Sequence, residues 1–216
     1  MITRQERPGC LAPRRCQEGL LPANSLAFSL VELLVTLALI AVVMVMLYGF
    51  GSKSDQQSQK KECQKNLQTI YMALEIYANE HEGIFPVRPG AITSDEVLSV
   101  LVPRYTVASE RFICPGSKDS KLPTAIPLEG RKISYAYFMG RRLTDSNAVL
   151  MTDRQINTLP KVQGAQIFST TGSSPGNNHH KYGGNYLFTD GHVEMSSSLA
   201  PFSLAWPQGI ELLNPK

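Results

Sequence analysis

Hydrophobic positions follow two different rules along the first 83 residues. From Leu33 to Phe50 the sequence LLVTLALIAVVMVMLYGF runs for 18 residues with no charge and with Thr36 as its one clearly polar side chain. A helix of that length is about 27 Å long, close to the ~30 Å hydrocarbon layer of a bilayer, so the run predicts a membrane-spanning helix. Beyond it, Ser52 to Lys65 is polar and rich in Gln and Lys. Leu67, Ile70, Tyr71, Leu74, Tyr77, Ala78 and His81 then recur at spacings of three and four, the stripe of an amphipathic helix that must bury one face. Gly83 and Pro86 predict its end.

The distal part reads as shorter elements. Ser94 predicts the cap of a short helix with Asp95 and Glu96 in its first turn, closed by Pro103. Phe112 to Gly116 predicts a turn, residues 117–131 a Pro/Gly/Lys-rich loop, and residues 172–184 a second loop of Gly, Ser, Asn and His. Ile133–Met139 and Ala148–Met151 predict strands. Tyr186–Thr189 and His192–Met195 predict a hairpin, joined by Asp190-Gly191 as a two-residue turn. The fold class expected is α+β: a long N-terminal helix, transmembrane in one half and amphipathic in the other, packed on a small antiparallel sheet with long loops.

Composition narrows the choices. With 43% hydrophobic and 18% charged residues the chain can build a core and is not disordered as a whole, and 216 residues exclude a large multidomain enzyme. A net charge of +3, without a basic patch carrying interleaved aromatics, argues against a nucleic-acid partner. Arg4, Arg7, Arg14 and Arg15 precede the apolar run, which favours a cytoplasmic N-terminus and an exported head. Lys53, Lys60, Lys61 and Lys65 follow it and weaken that asymmetry.

Glu32 stands at the entrance of the apolar run. A carboxylate there is costly unless it meets a cation, or else it serves Ser29 in a Ser-x-x-Glu capping box at the positive end of the helix. Ala27-Phe28-Ser29-Leu30-Val31-Glu32-Leu33-Leu34 resembles the signal of type IV prepilins and type II secretion pseudopilins. The resemblance continues in Cys63, Asn66, Leu67, Ala73, Leu74, Tyr77, Phe85 and Pro86. It implies cleavage between Ala27 and Phe28 by a prepilin peptidase, N-methylation of Phe28, and pairing of the Phe28 ammonium with Glu32 of a neighbouring subunit. The chain would divide into a leader (1–27), a membrane helix (28–51), an amphipathic helix (52–83) and a head (84–216). The partners implied are other pilin-like subunits, an inner-membrane platform and an assembly ATPase, in a type II secretion or type IV pilus-like filament. The location implied is the bacterial inner membrane, single-pass, with the head in the periplasm or at the cell surface. Competing readings are a plain signal anchor, which leaves Glu32 without a role, and a secretory signal cut near Gly49 and Gly51, which would release a product starting at Ser52.

Two groups of residues carry candidate chemistry. His179, His180 and His192 lie close to Asp190 in sequence and form a possible site for Ca2+ or another divalent metal; otherwise Asp190 serves its own turn. Such a loop supports a second function class, a membrane-tethered exported module binding a metal or a surface glycan. His180, nine residues, then Asp190-Gly191 also resembles the His-x-nine-Asp-Gly signature of prepilin-type processing-associated proteins, together with Cys114-Pro115 and Ser134-Tyr135. Cys10 and Cys16 fall in the leader; Cys63 and Cys114 form either a disulfide or a pair of buried thiols. No zincin, nucleophile-elbow, phosphate-loop or dinucleotide motif is present, so neither an enzyme nor a resident cofactor is expected.

Overall fold

The computed structural model describes residues 29–216, with the side chains of 47–53 outside that description. The cleavage pair Ala27 and Phe28, and the leader residues Cys10 and Cys16, lie outside the described residues. The chain forms two compact units, Met1–Met46 and Leu47–Lys216.

The described part of the first unit is the start of helix α1 (Leu30–Glu80). The Leu33 amide donates to the Ser29 carbonyl at 3.1 Å, and the Thr36 hydroxyl turns back onto the Leu33 carbonyl at 2.9 Å. Thr36 therefore spends its polarity on the backbone of its own helix. Every Leu, Val, Ile and Met from Leu30 to Met46 is 51–74% exposed. Among the described residues no helix is long and apolar enough to cross a membrane. Side chains are described for residues 33–46 of the run that the sequence carries on to Phe50.

In the second unit the later turns of α1 bury the expected stripe: Cys63, Leu67, Ile70, Ala73, Leu74 and Ala78 are at most 2% exposed. Met72 and Ile76, on other faces, are half exposed. The helix stops where Gly83 donates back to the Ala78 carbonyl at 2.8 Å, with Glu82 and Gly83 both at positive φ. His81 lies past the last helical residue, exposed, its ring stacked on Tyr77 at 3.9 Å and its Nδ1 donating to the Tyr77 carbonyl.

Helix α2 (Ser94–Leu98) has Thr93, not Ser94, at its cap. Ser94 is drawn inward, where its hydroxyl donates to the Tyr135 carbonyl at 2.7 Å and its amide to the Asn214 carbonyl. The sheet holds β1 (Tyr135–Met139), β2 (Val149–Asp153), β3 (Gly184–Phe188), β4 (Val193–Ser196) and β5 (Glu211–Leu213). All neighbours are antiparallel, in the order β4-β3-β2-β1-β5. Because side chains alternate along a strand, Tyr135, Tyr137 and Met139 face the core shared with α1. Ala136 and Phe138 face a second core closed by Phe202 and Trp206. A register shift between Val149 and Met151 lets the adjacent Leu150 and Met151 both join the α1 side.

The β3–β4 connection differs from the expected two-residue turn. Leu187 pairs with Val193, Gly191 donates to Phe188, and of the turn residues Gly191 has positive φ while Asp190 does not. This is a three-residue loop closed by a left-handed glycine. Helix α1 supplies the reason: Tyr71 donates to the Thr189 carbonyl at 2.9 Å, and a Cβ on Gly191 would strike the Tyr71 ring.

Gly191→Ala should therefore cost more than backbone strain alone. Gly164 is also at positive φ but faces open space, so Gly164→Ala reports the strain term by itself, about 1 kcal/mol. In urea unfolding of the detergent-solubilised chain, Gly191→Ala should lose about 1–3 kcal/mol beyond Gly164→Ala. Equal losses would remove the Tyr71 contact from the explanation.

Candidate functional site

The interior of the second unit contains a polar cluster where α1 meets the sheet. Its members come from four places: Cys63 on α1, Cys114 in the Cys-Pro turn, Asp153 at the end of β2, and His179 in the loop before β3. All four are buried. Cys63 and Cys114 form a disulfide with Cα atoms 5.4 Å apart and a sequence separation of 51. Closing a loop of that size contributes about 4 kcal/mol on the chain-entropy account.

A buried carboxylate needs partners, and Asp153 has several. One oxygen accepts from Asn178 Nδ2 at 2.9 Å; the other accepts from the Asn185 amide at 2.8 Å and from Asn185 Nδ2 at 3.0 Å. His179 Nε2 lies 3.3 Å from the same oxygen. Burial opposes ionisation of Asp153, but attraction to His179 and these hydrogen bonds outweigh it and hold its pKa below the usual carboxylate value. Asn178 and Asn185 also bind the Ser134 and Lys60 carbonyls, so the carboxylate joins β1, β2, β3 and α1. Lys60 completes the junction by donating to the carbonyls of Ser196 at 2.8 Å and Tyr182 at 3.0 Å. Burial lowers the Lys60 pKa, and the nearby Asp153 works in the opposite direction.

His179 is positioned by the turn opposite. A Cβ at Gly116 would collide with the Asn178 carbonyl and His179 Nδ1, so glycine lets the Cys114-Pro115-Gly116 turn lie against the ring. Its Nε2 is 3.4 Å from Cys114 Sγ. Cys, His and Asp together suggest a nucleophile relay, but a relay uses opposite ring nitrogens, and here sulfur and carboxylate approach the same one. With the sulfur also held in a disulfide and the group buried, the arrangement does not prepare a nucleophile.

The residues singled out from the sequence are distributed differently. His179 is in the cluster, whereas its neighbour His180 is exposed, at positive φ, with its ring against Gly172. Asp190 Oδ1 accepts from the His192 amide and meets His192 Nδ1 at 2.5 Å, within the β3–β4 turn. His192 stacks on Phe188 at 4.1 Å, and its Nε2 is 3.7 Å from Glu194. Asp190 thus serves its turn, and hydrogen bonds to His192 hold its pKa down although burial works the other way. Among the described residues, the group of three or more ligand-bearing side chains that converge is Cys63, Cys114, Asp153 and His179, not His179, His180, Asp190 and His192. Asp153 escaped sequence reasoning; its one local signal is a carboxylate ending an apolar strand, Val-Leu-Met-Thr-Asp.

The lowered pKa fixes a sign for acid stability. A carboxylate with a depressed folded-state pKa adds stability above its unfolded value of about 4, and the contribution is lost as pH falls through the folded value. In the disulfide-bonded chain, Asp153→Asn should lose about 3 kcal/mol at pH 7, and the gap to wild type should narrow as the pH drops below about 4. Unfolding curves of the two chains across that window check it; a gap independent of pH would contradict the ionised assignment.

Neither a curated protein nor a solved structure matches the chain. A family model does: the prokaryotic N-terminal methylation motif matches residues 23–48, a window that includes Ala27, Phe28, Glu32 and the exposed apolar turns of α1. Residues 23–48 thus carry the motif of a prepilin-type N-terminal cleavage and methylation segment.

Proposed function

We propose that this chain is a structural subunit of a type II secretion or type IV pilus-like filament. The observation that carries the proposal is the methylation motif lying on a helix whose large side chains, from Leu30 to Met46, have no cover. Water does not tolerate such a surface, while lipid and neighbouring copies of the same helix both do. The membrane stores the subunit before assembly, and a bundle of like helices covers it afterwards.

In this reading a prepilin peptidase cuts between Ala27 and Phe28, Phe28 is N-methylated, and the new ammonium of an incoming subunit pairs with Glu32 of one already assembled. Glu32 is in the first turn of α1 and is exposed, so a neighbour can reach it. Among the described residues its carboxylate has no hydrogen-bond partner, nor does the Ser29 hydroxyl, so the capping box does not occupy it. An inner-membrane platform and an assembly ATPase would drive the process, with the N-terminus cytoplasmic and the head in the periplasm or at the cell surface. The role is mechanical, and the divisions at residues 27, 51 and 83 are those of leader, membrane helix, packed helix and head.

Replacing the acid by its uncharged isostere tests the pairing. Glu32→Gln should reduce sheared or crosslinked polymer at least ~10-fold, since a desolvated ion pair with one partner removed loses several kcal/mol. Membrane insertion and the Cys63–Cys114 bond should be unchanged. Wild-type polymer yield from Glu32→Gln would overturn the assembly role of this residue.

A further inference from the structure

We propose that the two sulfurs of Cys63 and Cys114, when reduced, form with His179 Nε2 and Asp153 Oδ2 a four-ligand zinc site, so that the disulfide and a Zn2+ ion are alternative crosslinks at one place. This inference is independent of filament assembly. It rests on convergence: one ligand atom from each of four side chains far apart in sequence, all within 4.8 Å of one another.

Distances decide the geometry. With Zn–S about 2.3 Å, Zn–N about 2.05 Å and Zn–O about 2.1 Å, a tetrahedron has edges of about 3.6 Å for N···S and about 3.4 Å for N···O. The cluster has 3.4 Å from His179 Nε2 to Cys114 Sγ and 3.3 Å from Nε2 to Asp153 Oδ2. Two edges of the tetrahedron therefore exist already. Reduction frees a third edge, since separate thiolates can part to the S···S distance of about 3.8 Å that zinc requires. The common approach of sulfur and carboxylate to Nε2, which defeats a relay, is what metal ligation needs.

The surroundings also suit an ion. Asp153 is oriented by Asn178 and Asn185, the outer partners a ligating carboxylate uses. His179 Nδ1 and Gln59 Oε1 are both buried without partners and both border Gly116. The Gln59 amide is thus an unpartnered acceptor on the same side of Gly116 as the ring nitrogen that a metal-bound histidine protonates. Two thiolates and a carboxylate leave one net negative charge around Zn2+, which Lys60 near Asp153 offsets. Thiolate and imidazole select zinc over calcium or magnesium. A cavity of about 460 Å³ lies alongside, lined by Glu62, Asn66, Glu110 and Cys114 among others.

The chemistry balances as follows. A dithiol gives two electrons and two protons to the Cys63–Cys114 bond and becomes a disulfide itself; Zn2+ then displaces both thiol protons into solvent. In the test a trialkylphosphine replaces the dithiol and is oxidised to phosphine oxide with oxygen from water.

The full-length chain carrying Cys10→Ser and Cys16→Ser, in detergent and reduced under anaerobic conditions, is titrated with Co2+ and then Zn2+. The expected result is a thiolate-to-cobalt charge-transfer band saturating at one equivalent and abolished by one equivalent of Zn2+, with no band from the oxidised chain. Cys114→Ser and His179→Ala should each weaken cobalt binding by more than the roughly 10–100-fold that loss of an outer-shell partner costs. No saturable band from reduced wild type, folded or unfolded, overturns the proposal. So does a His179→Ala chain that binds as wild type does, since two free thiols would then explain the signal.

Discussion

An apolar helix face must be covered by something, and α1 meets that requirement in two ways. From Cys63 to Ala78 the head covers it, to the point where the stripe residues have almost no contact with water. From Leu30 to Met46, 13 large apolar side chains stay half or more exposed. At about 1.5 kcal/mol for each such side chain, their exposure amounts to on the order of 20 kcal/mol, more than the whole stability of a typical domain. Lipid or other copies of the helix would supply such cover.

The covered part is fastened by polar as well as apolar contacts. Lys60 reaches two carbonyls of the β3–β4 region, Cys63 is bonded to the Cys-Pro turn, and Asn66 donates to the Ile113 carbonyl at 3.2 Å while accepting from Arg111. Tyr71 then carries the β3–β4 turn on its hydroxyl and ring. These contacts fall on successive turns of one helix face. A force along the helix would be shared by a covalent bond, several buried hydrogen bonds and the apolar stripe, which suits the mechanical role proposed above.

The legible and illegible parts of the chain separate by range of interaction. The helix stripe, its stop near Gly83 and the strands around Tyr137, Leu150 and Leu187 are local patterns, and periodicity alone displays them. Strand β5, only three residues long, owes its place to pairing with Phe138 and its neighbours on β1, a contact more than 70 positions away in sequence. The turn at Asp190-Gly191 took its actual form because Tyr71, far upstream, presses on it. Candidate chemistry is grouped differently for the same reason: the sequence groups histidines that are close in the chain, whereas the fold takes His179 to Asp153 and the two cysteines and turns His180 outward.

The central claim is that the mature chain begins at a processed, modified Phe28, ahead of α1. Mass spectrometry of the N-terminal peptide from membrane-extracted protein reads this directly. The account predicts a chain starting at Phe28 and carrying one methyl group on its amine; a chain that retains residues 1–27, or one that starts at Ser52, would contradict it.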